Sequence, residues 1–231
     1  MTADIGPGPH GPPPPQKRQV LVDGVYETLT AYLMSGTLAP GDTVSIDSLS
    51  RHLQVSPTPI REALARIETT GLVVREPLRG YRVAPLMSQG EFRQLMAARL
   101  LIEPFNAAGA CAYKGPELLE ELIEALCRMC DAPTGPTYSE FREFLRADAQ
   151  FHMAIAKYAG NHFLAEALEH LGAHLHRFRL FGDEGVTDSK IAIEEHEAVY
   201  AAISKGSASD ASKAMKRHIL GVQQRAIAHA R

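Results

Sequence analysis

Tryptophan is absent from this chain of 231 residues, and no apolar run approaches the ~18 residues needed to span a bilayer. Together these absences exclude a membrane-spanning chain and leave a soluble one. Cysteine is scarce, and three thiols (Cys111, Cys127 and Cys130) do not make a disulfide framework, which fits a reducing cytoplasm. Cys127-x-x-Cys130 has the spacing of a redox or zinc pair. It lies inside a helical pattern with no second pair, so both read as buried structural thiols. The start of the chain is rich in Pro and Gly and lacks an apolar h-region, so nothing reads as a secretory signal. Net charge is only −3, which excludes a protein that coats nucleic acid without sequence preference. A specific binder needs only one basic face, and residues 72–86 offer Arg75, Arg79 and Arg82 against the single acid Glu76.

What is present divides the chain into three. Residues 1–16, with Pro7, Pro9 and the run Pro12 to Pro15, cannot bury a core and read as a disordered tail. Residues 17–86 begin with a helical pattern from about Val20, with Val22, Val25, Leu29 and Leu33 at spacings of three and four. Gly36, Pro40 and Gly41 end it, and 45–53 forms a second short helix with Ile46, Leu49 and Leu53 inward. Ser56 can cap a third helix, with Pro57 and Pro59 in its first turn, where amides lack intrahelical partners. Ile60, Ala63, Leu64 and Ile67 form its buried stripe, and Gly71 stops it. Leu72–Val74 and Tyr81–Ala84 read as two strands joined through Pro77–Gly80. Three helices and a hairpin predict a winged helix-turn-helix. Beyond Pro85 only helical periodicity remains, predicting helices near 88–113, 116–130, 137–158, 161–181, 188–204 and 208–229. Leu118, Leu119, Leu122, Ile123 and Leu126 mark one helix face. The fold class is therefore mainly α: an N-terminal winged helix-turn-helix, then an all-α antiparallel bundle over 87–231.

In a helix-turn-helix the second helix of the motif enters the major groove with its N-terminal residues foremost. That turn carries Ser56, Thr58 and Arg61 on its solvent side. Arg61 suits bidentate bonds to guanine, and the hydroxyls suit phosphates. Arg79 and Gly80 lie at the wing tip, where a glycine permits close approach to a sugar-phosphate strand. The plainer reading makes Arg61 and Arg66 a solvated face, or partners of Glu62 or Glu68.

Ser56-Pro-Thr-Pro-Ile-Arg-Glu-Ala-Leu64, with Arg66-Ile-Glu68 and Gly71-Leu-Val73, resembles the recognition-helix signature of GntR-type bacterial transcription regulators of the FadR-like subfamily. The resemblance runs from about Val20 to Pro85. The chain departs from it at Pro57, where these regulators usually place a basic residue, and at Asp47, where some of them carry another.

Asp148 and His152 are four residues apart on one helix and so share a face, and His196 and His218 fall on two later helices. Three imidazoles and a carboxylate would suit zinc foremost, with Ni, Mn or Fe as alternatives. Spacing alone leaves open whether they meet. Asp148-Ala-Gln-Phe-His152, Asn161-His-Phe-Leu164, His196 before Ala201-Ala-Ile203, and His218 are similar to the FCD effector domain found behind many GntR-type DNA-binding domains. The resemblance implies that Asp148, His152, His196 and His218 bind a divalent metal. It also implies that a small carboxylate fills the metal's open positions. Arg99, in Arg99-Leu-Leu-Ile-Glu103, is similar to the family's Arg-x-x-x-Glu element and could clamp a second carboxylate, or pair with Glu103. Asn161 faces the effector or caps a helix. His162, His170, His174 and His176 read as surface or packing residues.

The expected function is a cytoplasmic homodimeric regulator, a repressor, that binds a double-stranded DNA operator under control of a small organic acid. Two alternatives stand beside it. One is a metal-dependent enzyme acting on small carboxylates, for which Glu194 and Glu195 are the candidate bases. The other is a DNA-binding regulator with a purely structural metal.

Overall fold

The spacing of Val22, Val25, Leu29 and Leu33 puts all four on one side of a helix, and all four are buried on α1 (Pro15–Met34). The computed structural model describes residues 15–135, 137–178 and 188–229. The tail expected over 1–16 thus lies outside the described residues up to position 14. At positions 15 and 16 the expectation is corrected: α1 starts at Pro15, about a turn before Val20, because proline is well suited to a first helical turn. A short strand, β1 (Thr43–Val44), precedes α2 (Ile46–Leu53), whose cap is the Ser45 side chain accepting the Ser48 amide at 3.2 Å. Gln54, at φ 54°, closes α2 in the left-handed region. Then comes α3 (Pro57–Thr69), which buries Ile60, Ala63, Leu64 and Ile67. Gly71, at φ +73°, turns the chain out of α3, a conformation that strains other residues.

Strands β2 (Val73–Glu76) and β3 (Gly80–Val83) pair antiparallel, with Val73 opposite Val83 and Glu76 opposite Gly80. β1 pairs on the other edge of β3, Val44 opposite Tyr81, giving the order β1-β3-β2. α1 to α3 and this sheet enclose one core, centred on Leu29, Ile60, Leu64 and Ile67.

Among the described residues, six further helices form the second body: α4 (Gln89–Ala110), α5 (Glu117–Asp131), α6 (Tyr138–Tyr158), α7 (His162–Phe178), α8 (Ser189–Ser204) and α9 (Ala208–His229). Ser88 and Glu91 cap α4 reciprocally, the Ser88 hydroxyl taking the Glu91 amide and the Glu91 carboxylate the Ser88 amide. Phe92, Met96, Leu122, Phe141, Phe144, Phe151 and Met215 fill the shared interior. Tyr138 packs against both cores, and Glu27 of α1 pairs with Arg146 of α6 and lies 3.9 Å from Arg142. The winged unit is therefore seated on α6.

Two readings of α5 are corrected. Leu118, Leu122, Ala125, Leu126 and Met129 are its buried stripe, whereas Ile123, Cys127 and Cys130, at spacings of four and three, are exposed on the other side. The two cysteines are therefore not buried structural thiols. Partial burial and the nearby Glu197 push the Cys130 thiol up, away from the thiolate that metal or redox chemistry requires. Among the described residues no helix is long and apolar enough to cross a membrane.

Candidate functional site

Asp148 and His152 stand one turn apart on α6, His196 on α8 and His218 on α9, and packing brings the four together. One donor atom from each lies within 4.8 Å of the others. His196 Nε2 is 3.2 Å from His152 Nε2 and 3.4 Å from Asp148 Oδ1. The imidazoles are buried and Asp148 is half-buried.

Each ring has its other nitrogen close to an oxygen outside the cluster, and for two of the three the contact is a hydrogen bond. His196 Nδ1 donates to the Ala192 carbonyl at 2.6 Å, one turn back on α8. His218 Nδ1 donates to Glu195 Oε2 at 2.9 Å. His152 Nδ1 lies 2.5 Å from Glu103 Oε2. With a proton held on each Nδ1, all three Nε2 atoms present lone pairs to one small volume, the arrangement that metal-ligating histidines require.

The electrostatics agree. Burial, and then the neighbouring His218, push His196 well below the ordinary histidine range, and burial lowers His218 against the opposing pull of Glu195. Both are therefore neutral and competent as ligands near neutrality. Burial works against the charges that support them, but is overcome. Arg99 and His152 hold Glu103 far below the usual carboxylate range, and His218 with Arg225 brings Glu195 down to about 2. The donor set is compatible with a metal site.

A cavity of about 340 Å³ opens beside the cluster. Asp148, His152, His218 and Arg99 line one part of it, and Tyr26, Glu27, Thr30, Thr70 and Leu72 of the winged unit line another. Arg99 is buried on α4 and its Nε pairs with Glu103, so it lines the cavity and forms the structural pair at once. Asn161 is corrected from an effector contact to a helix cap. Its Oδ1 accepts the Leu164 amide at 3.3 Å at the start of α7, and it does not line the cavity. His162 and His170 are exposed, His174 is half-buried, and the side chain of His176 lies outside the described residues.

On the winged unit, Ser56, Thr58 and Arg61 are exposed together at the start of α3. Ser56 occupies the N-cap position in extended conformation, but its hydroxyl makes no capping bond, which corrects the expected cap. Arg66 is not a groove-facing cation. It pairs with Asp23 at 2.5 Å and stacks 4.5 Å over the Tyr26 ring, both on α1. Glu62 likewise pairs with Arg18. Arg79 is exposed beside Gly80, whose φ of +90° shapes the wing tip. Arg82, expected in the basic surface, bonds Glu76 at 2.7 Å and the Gly41 carbonyl at 2.6 Å instead.

Residues 21–83 match the bacterial regulatory proteins of the gntR family, and residues 94–221, more than half of the chain, match the FCD domain. The chain is a GntR-family transcription regulator with an FCD domain. It is 29% identical over 217 residues to the HTH-type transcriptional regulator LutR of Bacillus subtilis, covering 83% of this chain and 94% of LutR. It is 24% identical over 200 residues to the HTH-type transcriptional repressor RspR of Escherichia coli K12, covering 87% and 86%. The solved structure of E. coli McbR/YncC superposes with a TM-score of 0.72 at 20% identity, covering 91% of this chain and 99% of that one. The gntR-family match and the two curated relatives are transcription regulators, so this DNA-binding protein is a regulator and not an enzyme. Glu195, offered by the sequence as a catalytic base, is held by His218 and by Arg225 at 2.8 Å; Glu194 is exposed. The supporting roles of Ala192 and Glu195 were invisible in the sequence, where Glu195 is marked only by adjacency to His196 and Ala192 by nothing but its place one turn back.

Proposed function

We propose that this regulator is a homodimeric repressor whose grip on a double-stranded DNA operator is set by a small organic acid bound at a divalent metal in the bundle. The observation that carries the reading is the convergence of the three imidazoles and Asp148, with His196 and His218 hydrogen-bonded through Nδ1 and His152 Nδ1 beside the Glu103 carboxylate. Zinc suits this donor set foremost, with Ni, Mn and Fe as alternatives. When bound, the ion supplies one or two open positions for a carboxylate oxygen. The chain's own groups do the rest: Arg99, on the cavity wall, gives the acid a cationic contact, and the buried rings exclude water from the near end.

Ser56, Thr58 and Arg61 meet the major groove, and Arg79 with Gly80 tracks the adjoining strand. Exposed Leu101 and Phe105 on α4 and Phe163 on α7 support a dimer face. Acting on DNA in the cytoplasm, the dimer would release its operator when the acid favours a different seating of the winged units on the bundle. A tenfold change in occupancy needs the acid to discriminate the two seatings by ~1.4 kcal/mol.

The same cluster joins α6, α8 and α9, so a purely structural ion is the reading to be separated. Operator titrations of the zinc-loaded protein, its chelated form and His196→Ala, each with and without a panel of diacids, separate them. His196→Ala is expected to abolish acid-induced stabilisation and release while retaining operator affinity. A normal acid response in that variant would overturn metal-centred sensing. Loss of melting stability and operator affinity alike on chelation would favour the structural ion.

A further inference from the structure

Thr30 lies on the face of α1 that meets the bundle, and its side chain is 8% exposed. A threonine hydroxyl inside a helix ordinarily bonds the carbonyl one turn back, as Thr28 does with Gly24 at 2.9 Å. Thr30 Oγ1 has no hydrogen-bond partner, although it is buried on the wall of the cavity that reaches the histidine cluster. A buried hydroxyl without a partner costs free energy, and one on a cavity wall marks where a ligand supplies it.

A second observation lies one turn away. Glu27, three residues before Thr30 and so on the same helix face, also lines the cavity, as do Arg142 and Arg146 across from it. Glu27 pairs closely with Arg146, whereas Arg142 stands at 3.9 Å, wider than a hydrogen bond. Arg142 can accept another anion while the Glu27–Arg146 pair stays intact. The volume, about 340 Å³, equals about eleven waters at ~30 Å³ each. That suits a ligand of about ten non-hydrogen atoms better than a short monoacid.

We propose that the cavity takes an elongated diacid, one carboxylate at the cluster end and the other at a subsite built by Thr30 of α1 and Arg142 of α6. The ligand then touches the DNA-binding unit directly, and the seating of α1 on α6 becomes part of the binding site. Sensing and DNA release share a wall and need no relay through the bundle. This rests on the metal-centred reading for its near end only.

Adipate and butyrate are the probes, each titrated into zinc-loaded full-length protein by calorimetry and thermal shift. Adipate is expected to bind the wild type more tightly than butyrate. Thr30→Val, which keeps the shape and removes the hydroxyl, should weaken adipate about tenfold and leave butyrate unchanged. Thr30→Ser should restore adipate binding, and Arg142→Gln should weaken adipate as Thr30→Val does. Equal adipate affinity in wild type and Thr30→Val overturns the subsite, as does adipate binding no tighter than butyrate, or not binding at all. If instead His196→Ala binds adipate as the wild type does, the metal-centred reading falls, while the Thr30 comparison still decides the far end.

Discussion

His152 and His196 face each other through Nε2 atoms 3.2 Å apart at the buried centre of the bundle, while the Nδ1 of each is turned to an oxygen elsewhere. Facing lone pairs at that distance repel unless a cation or a proton lies between them. Burial, which holds His196 neutral, disfavours the proton. The anchors decide how well the rings are presented. Glu195→Ala removes the acceptor of His218 Nδ1 and should weaken zinc binding roughly tenfold to a hundredfold, read by competition with a chromophoric chelator. Unchanged affinity would mean that Glu195 serves only to hold Arg225 of α9 against α8.

The chelated protein should lose stability as pH falls below the ordinary histidine range. His196 and His218 have folded pKa values below the ordinary histidine value of 6.5, so above 6.5 neither state binds a proton at them. Below 6.5 the unfolded chain takes protons that the folded chain refuses, and stability declines by up to about 1.4 kcal/mol per pH unit for each histidine. Glu195 behaves separately. Its stabilising charge is present above about 4.5 and is lost as pH falls from there toward about 2. Denaturant titrations of the chelated protein from neutrality to pH 5 therefore read the histidines alone, and His196→Phe should flatten the slope. An unchanged slope would place the titration elsewhere.

The helices were legible in the sequence because a 3.6-residue period is unmistakable over twenty residues: 137–158 was expected and α6 runs Tyr138–Tyr158. β1 was not legible, since two residues carry no period and it exists only because β3 offers an edge. The cysteines were misread for a related reason. On α5 apolar residues stand in adjacent pairs, Leu122 with Ile123 and Leu126 with Cys127, which leaves the inward stripe ambiguous by one position; the stripe of Leu118, Leu122 and Met129 won over that of Ile123, Cys127 and Cys130. For the cluster, spacing pairs Asp148 with His152 and says nothing of His196 or His218, which tertiary packing alone delivers. The cavity between α1 and α6 had no signature at all, because Thr30 reads as an ordinary helix residue until its neighbours are known.

Arg61 and Arg66 lie five residues apart on α3 and should respond oppositely to truncation. Arg61 is exposed at the entry turn, so Arg61→Ala should cost roughly 1–3 kcal/mol of operator affinity and leave melting within about 0.5 kcal/mol. Arg66 ties α3 to Asp23 and Tyr26 of α1, and its side chain is 47% exposed. Arg66→Ala should lower stability by under about 1 kcal/mol and change operator affinity little. Fluorescence anisotropy on DNA and denaturant melts, run on both variants, test the pair; a larger affinity loss in Arg66→Ala would reverse the assignment.

Leu101 is 80% exposed and Phe105, one turn on, 58% exposed on α4, and Phe163 on the neighbouring α7 is 69% exposed. Apolar side chains this exposed on adjacent helices are a surface that a second copy of the chain covers most simply, since a two-fold dimer presents one patch to itself. In such an interface one substitution acts twice. Phe105→Glu puts a carboxylate on both sides of the seam, and like charges there must separate or be desolvated. The folded monomer should be stable to within about 0.5 kcal/mol, because the position is open to water in the single chain. Sedimentation should show the mass fall from twice 25.2 kDa to 25.2 kDa. Operator affinity should fall with it, because one winged unit alone reads a single half-site. A variant that keeps the dimer mass would move the interface to another face of the bundle.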